Sequence, residues 1–253
     1  MEFHQLKTFL DKRYEEYARE EFIVKDPISI PYRFSKKQDI EIAAFFASIF
    51  AWGRRDIIIT KTNQLMSLMD ESPHDFILNF QENDLEKISQ FKHRTFNPTD
   101  LSFFLKAFQR HYKKYDSLEN AFLPDQKKFE TIAPCLNFFF EYITELTPIA
   151  SRTFKHLSAP QKGSACKRLC MFLRWLVRKD SVDFGLWNTI KPLHLIIPLD
   201  VHVMKSATKL GLLDENFKSN WQTALNLTEK LRTFDVNDPV KYDFSLFGMG
   251  IYE

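Results

Sequence analysis

Apolar residues recur at three- and four-residue intervals along most of the chain, the spacing of helices that bury one face. Residues 3–21 place Phe3, Leu6, Phe9, Leu10, Tyr14 and Tyr17 on one such stripe. Residues 36–50 (KKQDIEIAAFFASIF) start polar and become almost wholly apolar, which predicts a helix buried on several sides. Trp52-Gly53-Arg54-Arg55 interrupts the pattern, and Asp56 is placed to cap a helix over 57–69. Helical spacing also fits 73–81, 84–90, 99–114, 117–122, 129–146, 150–157, 164–178, 185–190, 199–210, 214–232 and 239–247. Pro27 and Pro31 predict an extended connection after the first helix. No stretch keeps a period of two, and no internal repeat or low-complexity segment stands out. The pattern predicts an all-α protein.

Composition narrows the picture. The chain has 253 residues, enough for one large or two modest domains. Its 26 Phe outnumber the 4 Trp and 8 Tyr, so the core is expected to be phenylalanine-rich. Only 6 Gly leave little room for the hairpins of an all-β fold or for a glycine-rich phosphate loop. Cys135, Cys166 and Cys170 have no C-x-x-C spacing, which excludes a four-cysteine iron–sulfur cluster and predicts a reducing, cytoplasmic location. Met1–Glu20 is charged throughout, unlike a signal peptide, and no apolar run is long enough for a membrane span. The histidines have no metal-ligand spacing with the cysteines, so no metal is expected. Asp183, in Val182-Asp183-Phe184-Gly185, lacks the other parts of a kinase site and is read as a loop aspartate.

The densest candidate chemistry lies between Ser158 and Leu213. Gly163 suits a tight turn, and Ser164 is expected to cap the helix that follows. Open N–H groups at such a helix start favour an anion, for example a DNA phosphate. Lys167, Met171, Arg174 and Arg178 fall on one stripe of that helix. From Pro160 to Asp180, six basic residues (Lys162, Lys167, Arg168, Arg174, Arg178, Lys179) stand against one acidic residue. This reads either as a solvated basic face or as a DNA footprint that the net charge of +2 conceals. Further on, Pro198 precedes Asp200, which is expected in the first turn of a helix that Gly211 ends. Taken singly, Asp200 reads as a capping residue and His202 as a packed histidine.

Together these segments resemble the helix–hairpin–helix (HhH-GPD) DNA glycosylase superfamily. Gly163–Lys167 resembles its hairpin, where a glycine-rich turn precedes the catalytic lysine. Pro198-Leu199-Asp200-Val201-His202-Val203 resembles its proline-x-aspartate-x-histidine segment, which carries the catalytic aspartate. Lys167 and Asp200 are 33 positions apart, a spacing that looks more like the archaeal 8-oxoguanine glycosylase branch than endonuclease III. The strings CKRLCMFLRWLVR, DFGLW and LIIPLDVHV look like an uncharacterised bacterial family related to that branch. Residues 41–66 look like the first helix pair of the glycosylase barrel. Asp243 and Phe247, one turn apart, resemble an aspartate and an aromatic that line the base pocket. Two departures stand out: Ala165 replaces the second hairpin glycine, and Gly53-Arg54-Arg55 lies where many relatives carry an intercalating glutamine.

The resemblance implies an all-α, two-lobed glycosylase-like fold with the active site in the cleft between the lobes. Residues 39–184 would form a helical barrel lobe ending in the hairpin and its second helix. Residues 1–38 with 185–253 would form the second lobe. It implies excision of an oxidised purine such as 8-oxoguanine from duplex DNA, the base being flipped out of the stack. Lys167 would attack C1′ as a neutral amine, Asp200 would take its proton, and elimination would nick the strand. If Lys167 points away, Asp200 would activate water and no nick would follow. Asp243, Phe247, Trp52 and Met171 would form the base pocket. Gly163, Ser164, Ala165, Lys162, Arg168, Arg174, Arg178, Arg54, Arg55 and His202 would contact DNA. The implied protein is a nucleoid-associated monomer with damaged double-stranded DNA as partner and no cofactor, metal or membrane. The alternative is a non-catalytic helix–hairpin–helix nucleic-acid-binding protein.

Overall fold

The computed structural model describes residues 2–125 and 128–252. These residues form helices and 3-10 turns with no β-strand, only two isolated bridges at His93–Phe96 and Lys179–Phe184. The protein is mostly helical, as the hydrophobic spacing predicts. Among the described residues no helix is long and apolar enough to cross a membrane.

The chain divides into two compact units. Unit 1 comprises Met1–Val24, Lys128–Pro134 and Ala159–Glu253, and unit 2 comprises Lys25–Lys127 and Cys135–Ser158. This division differs from the expected boundaries at 38/39 and 184/185. The hairpin and the helix after it belong with the two termini, because Arg174 and Arg178 are bound by carboxylates at Asp243 and Asp238.

Unit 2 is built around α3 (Lys37–Ile49), with α4 (Arg55–Leu68), α5 (Pro73–Asn79), α6 (Asp84–Lys87) and α7 (Pro98–Tyr112). Every α3 residue from Asp39 to Ile49 is buried, which explains its nearly unbroken apolar run. Phe45 meets Phe108 with ring centroids 4.8 Å apart, and Phe122 stacks on Phe139 at 4.1 Å. The buried Glu41 carboxylate accepts bonds from Tyr112 Oη (3.0 Å), Ser117 Oγ (2.5 Å) and Leu118 N (2.9 Å), so it enters the core fully bonded. α8 (Ala133–Leu146) starts in unit 1 and continues in unit 2.

Unit 1 contains α1 (Phe3–Tyr17), α2 (Glu20–Val24), α9 (Lys167–Val177), α10 (Val201–Lys209), α11 (Trp221–Arg232) and α12 (Tyr242–Tyr252). α12 packs against both α1 and α10. It approaches them closely through glycines: a Cβ at Gly248 would strike the Tyr17 ring, and one at Gly250 would strike His202.

Several expected boundaries shift for local reasons. Ala18, at φ −81° and ψ 63°, splits the expected 3–21 helix. Pro27 and Pro31 each start a short 3-10 turn rather than an extended link. Asp56 does not cap α4: the helix starts one residue earlier, and the Asp56 carboxylate pairs with Arg54. The expected helix over 214–232 begins only at Trp221, where the Asn220 side chain accepts the Thr223 N–H. Residues 185–190 are not helical. Gly185 is left-handed (φ 61°), and Phe184 N and Trp187 N bond back to the Trp175 and Leu176 carbonyls at the end of α9.

Candidate functional site

Lys167 is the first residue of α9, one position beyond a left-handed Cys166 (φ 51°, ψ 26°). Ser164 therefore does not cap the helix, contrary to expectation. Its hydroxyl accepts the Cys166 N–H at 3.1 Å, a local turn that competes with helix and delays its start. Gly163 is exposed at φ 73°, and a Cβ there would meet only open space, so the backbone angle alone requires glycine. Its carbonyl accepts from Trp221 N at 3.4 Å, which ties the turn to the start of α11.

Asp200 stands at the N-terminus of α10. One carboxylate oxygen, Oδ1, accepts the His202 and Val203 N–H groups, both at 2.9 Å. The other, Oδ2, lies 3.4 Å from Lys167 Nζ. Asp200 is the N-cap rather than a first-turn residue, and the cap fixes which oxygen faces the lysine. The Lys167 side chain is 30% exposed and that of Asp200 12%, so the pair is open on one side.

A second carboxylate belongs to the same site. Asp243, in the first turn of α12, is buried. Its Oδ2 pairs with Arg174 Nη1, while its Oδ1 is buried with no hydrogen-bond partner among the described residues. Burial raises its carboxyl to about 6; Arg174 opposes this, Asp200 adds to it, and Lys167 opposes it. Asp243 is thus within electrostatic reach of both members of the pair. Phe247, one turn along α12, is half-buried with its ring edge-on to His202 at 5.9 Å. Met171, one turn after Lys167, is also half-buried.

Other expected DNA contacts are corrected. Arg174 and Arg178 lie in the interior, not on a basic face. Arg174 Nε is 3.3 Å from Asp183 Oδ1, and its guanidinium lies 4.2 Å from the Phe244 ring centre. Arg178 binds Asp238 through Nε at 2.8 Å, and Asp180 (2.9 Å) and Asp183 through Nη1. Tyr14 completes the cluster by donating to Asp180 at 3.0 Å. Each guanidinium is neutralised by carboxylates that follow the basic run, Asp180 and Asp183 at once and Asp238 and Asp243 some sixty residues later. The charge count stopped at Asp180; three residues further, Asp183 is the fully buried hub, its carboxyl raised to about 6 by burial against the pull of Arg174 and Arg178. It lies in a loop, as expected, and binds both arginines there. Ala165 is buried and does not present its methyl group to a ligand. His202 turns toward α12, its Nδ1 2.9 Å from the Gly250 carbonyl. Arg168 is half-buried, and loss of hydration lowers its guanidinium to about 10 against the pull of Cys166. Lys162 is exposed beside Gly163.

Trp52, Arg54 and Arg55 belong to unit 2. Trp52 is half-buried against His93 and His156. Arg54 is exposed and forms a two-pronged ion pair with Asp56. No group of three metal-ligating side chains occurs among the described residues.

A family model described as a protein of unknown function (DUF2400) matches residues 26–252. The chain belongs to the DUF2400 family. Both the Lys167–Asp200 pair and Asp243 fall within the DUF2400 match, whereas α1, which braces α12, precedes it. No curated protein and no solved structure matches the chain.

Proposed function

We propose that this DUF2400 protein is a base-excision DNA N-glycosylase with associated lyase activity, acting on an oxidised purine such as 8-oxoguanine in duplex DNA. The observation that carries the reading is the 3.4 Å separation of Lys167 Nζ and Asp200 Oδ2, with the carboxylate oriented by the helix-cap bonds that its other oxygen, Oδ1, accepts. A nucleophile and a base within reach of each other, the base oriented by a third contact, is the arrangement that nucleophilic catalysis requires.

The Lys167 amine forms a bond to C1′ as the C1′–base bond breaks and the base leaves with the electron pair. Asp200 takes the lysine proton and stabilises the positive charge that builds on the sugar. Opening of the sugar leaves a Schiff base, and loss of the C2′ proton expels the 3′ phosphate. Phe247 and Met171 offer apolar surface for a flipped base, and the buried, unbonded Asp243 Oδ1 becomes a polar contact to its edge once the base opens the packing around it.

Duplexes with single defined lesions, incubated with and without borohydride, test the proposal. The expected result is cleavage of an oxidised-purine duplex and a reduced covalent complex with it. Cleavage without a complex would assign water as the nucleophile. Salt-dependent binding with turnover of no lesion would favour the non-catalytic binding protein, a reading that rests on Asp200 already serving as a cap.

A further inference from the structure

Unit 2 carries a charged surface that the Lys167 chemistry does not use. Three of its loops converge on Trp52, whose ring lies 5.0 Å from His93 and 5.8 Å from His156. Arg152 joins the same junction, donating to the Thr95 carbonyl at 3.0 Å and pairing with the buried Asp100 at 2.7 Å. Segments 52–61, 89–97 and 147–158 together contain seven Lys and Arg but one carboxylate, Asp56. That carboxylate is already paired with Arg54.

Arg94 is the unusual member. It adopts φ 54°, a left-handed angle that costs a branched or long side chain energy and that glycine takes freely. It sits in a turn closed by His93 N to Phe96 O (3.0 Å) and Phe96 N to His93 O (2.9 Å). Its guanidinium lies against Gly53, where a Cβ would collide with it. Arg94 and its neighbour Lys92 are exposed and make no ion pair among the described residues. The field of Arg94 reaches inward: burial lowers the His93 pKa, the Phe50 carbonyl opposes this, and Arg94 and Lys61 lower it further. A left-handed angle at a residue other than glycine is costly, and such strain collects at binding sites.

We infer that the Trp52–Lys92–Arg94–Arg152 surface of unit 2 is a docking face for the phosphate backbone of DNA, with Arg94 its central contact. The guanidinium fork matches two phosphate oxygens, and the half-buried Trp52 gives an aromatic floor beside it. The choice of DNA among polyanions rests on the proposed function; the surface itself does not.

The test is the affinity of the full chain for an undamaged duplex, read by fluorescence anisotropy across a series of KCl concentrations. Arg94→Gly is expected to weaken binding and to lower the slope of log K against log salt by about 1. The same variant should melt at an equal or higher temperature, because glycine suits the angle. Arg94→Lys should keep the slope. An unchanged slope in Arg94→Gly overturns the docking face, and so does wild-type protein that fails to bind duplex DNA. Borohydride trapping on a lesion duplex separates the two proposals. A lowered slope with no trapping leaves the docking face standing and removes the glycosylase reading. Trapping with an unchanged slope does the reverse.

Discussion

Replacing Arg178 probes the buried charge cluster of unit 1 and, with it, the reassignment of the basic helix from DNA contact to structure. The side chain is 2% exposed, and its guanidinium serves Asp180, Asp183 and Asp238. Arg178→Met keeps much of the volume and removes every one of these charged bonds. Asp183, with no exposed side-chain surface, is then left with Arg174 alone. Losing one partner of a buried ion pair costs about 3–5 kcal/mol. For a chain of this size each kcal/mol lowers Tm by about 2–4 °C, so a fall of roughly 6–20 °C is expected. The loss should also depend on pH. Asp183 is raised to about 6 even with both arginines present, and removing one raises it further. A raised carboxyl holds its proton in the native state where the unfolded chain has lost it, so its contribution to stability falls as pH rises. The deficit of Arg178→Met should therefore be larger at about pH 8 than at about pH 5. Calorimetry or urea unfolding at the two pH values measures this, and the salt slope of DNA binding at a permissive temperature should match wild type. A Tm within about 2 °C of wild type, with a salt slope reduced by about 1, would return Arg178 to the DNA interface and refute the reassignment.

Three further outcomes follow from the site and its supports. Asp200→Asn keeps a good N-cap but removes the base, so stability should change by less than about 1 kcal/mol while borohydride trapping slows about 10²–10⁴-fold; unchanged trapping would leave Asp200 as a cap alone. Asp243, raised from 3.8 to about 6, binds a proton in the native state between those values, and its contribution to stability falls by about 3 kcal/mol as pH rises through that range. Asp243→Asn has no such proton to lose, so its stability relative to wild type should rise over the same range in urea titrations, and a pH-independent difference would contradict the assignment. Gly248→Ala forces a methyl group into the Tyr17 ring and should cost about 1–3 kcal/mol by thermal melting; a neutral result would mean that α1 does not brace α12 as described.

Much of the helical layout was legible because burial imposes its period on the sequence. α3 reads correctly since its residues from Asp39 to Ile49 are buried, and polar Lys36 and Lys37 mark its start. Errors cluster where a backbone bond or one dihedral overrides periodicity. Leu186, Trp187 and Ile190 have helical spacing, yet Gly185 turns the chain so that the segment satisfies the last carbonyls of α9. Ser164 has the chemistry of a cap, but its hydroxyl closes a turn on Cys166 first. The Lys167–Asp200 proximity is legible only through a motif resemblance, because a separation of 33 positions leaves local periodicity silent about it. Arg174 and Arg178 look like surface charge in the sequence because a charge count along the chain ignores carboxylates that return in space. Asp238 and Asp243 lie some sixty residues downstream, beyond any window.

Mass-spectrometric mapping of the borohydride-reduced adduct with an 8-oxoguanine duplex tests the role of Lys167 most directly. A sugar–phosphate adduct on Lys167, lost in Lys167→Gln while duplex affinity persists, is the expected result. An adduct on another lysine, or one that survives in Lys167→Gln, would contradict the assignment of Lys167 as the nucleophile.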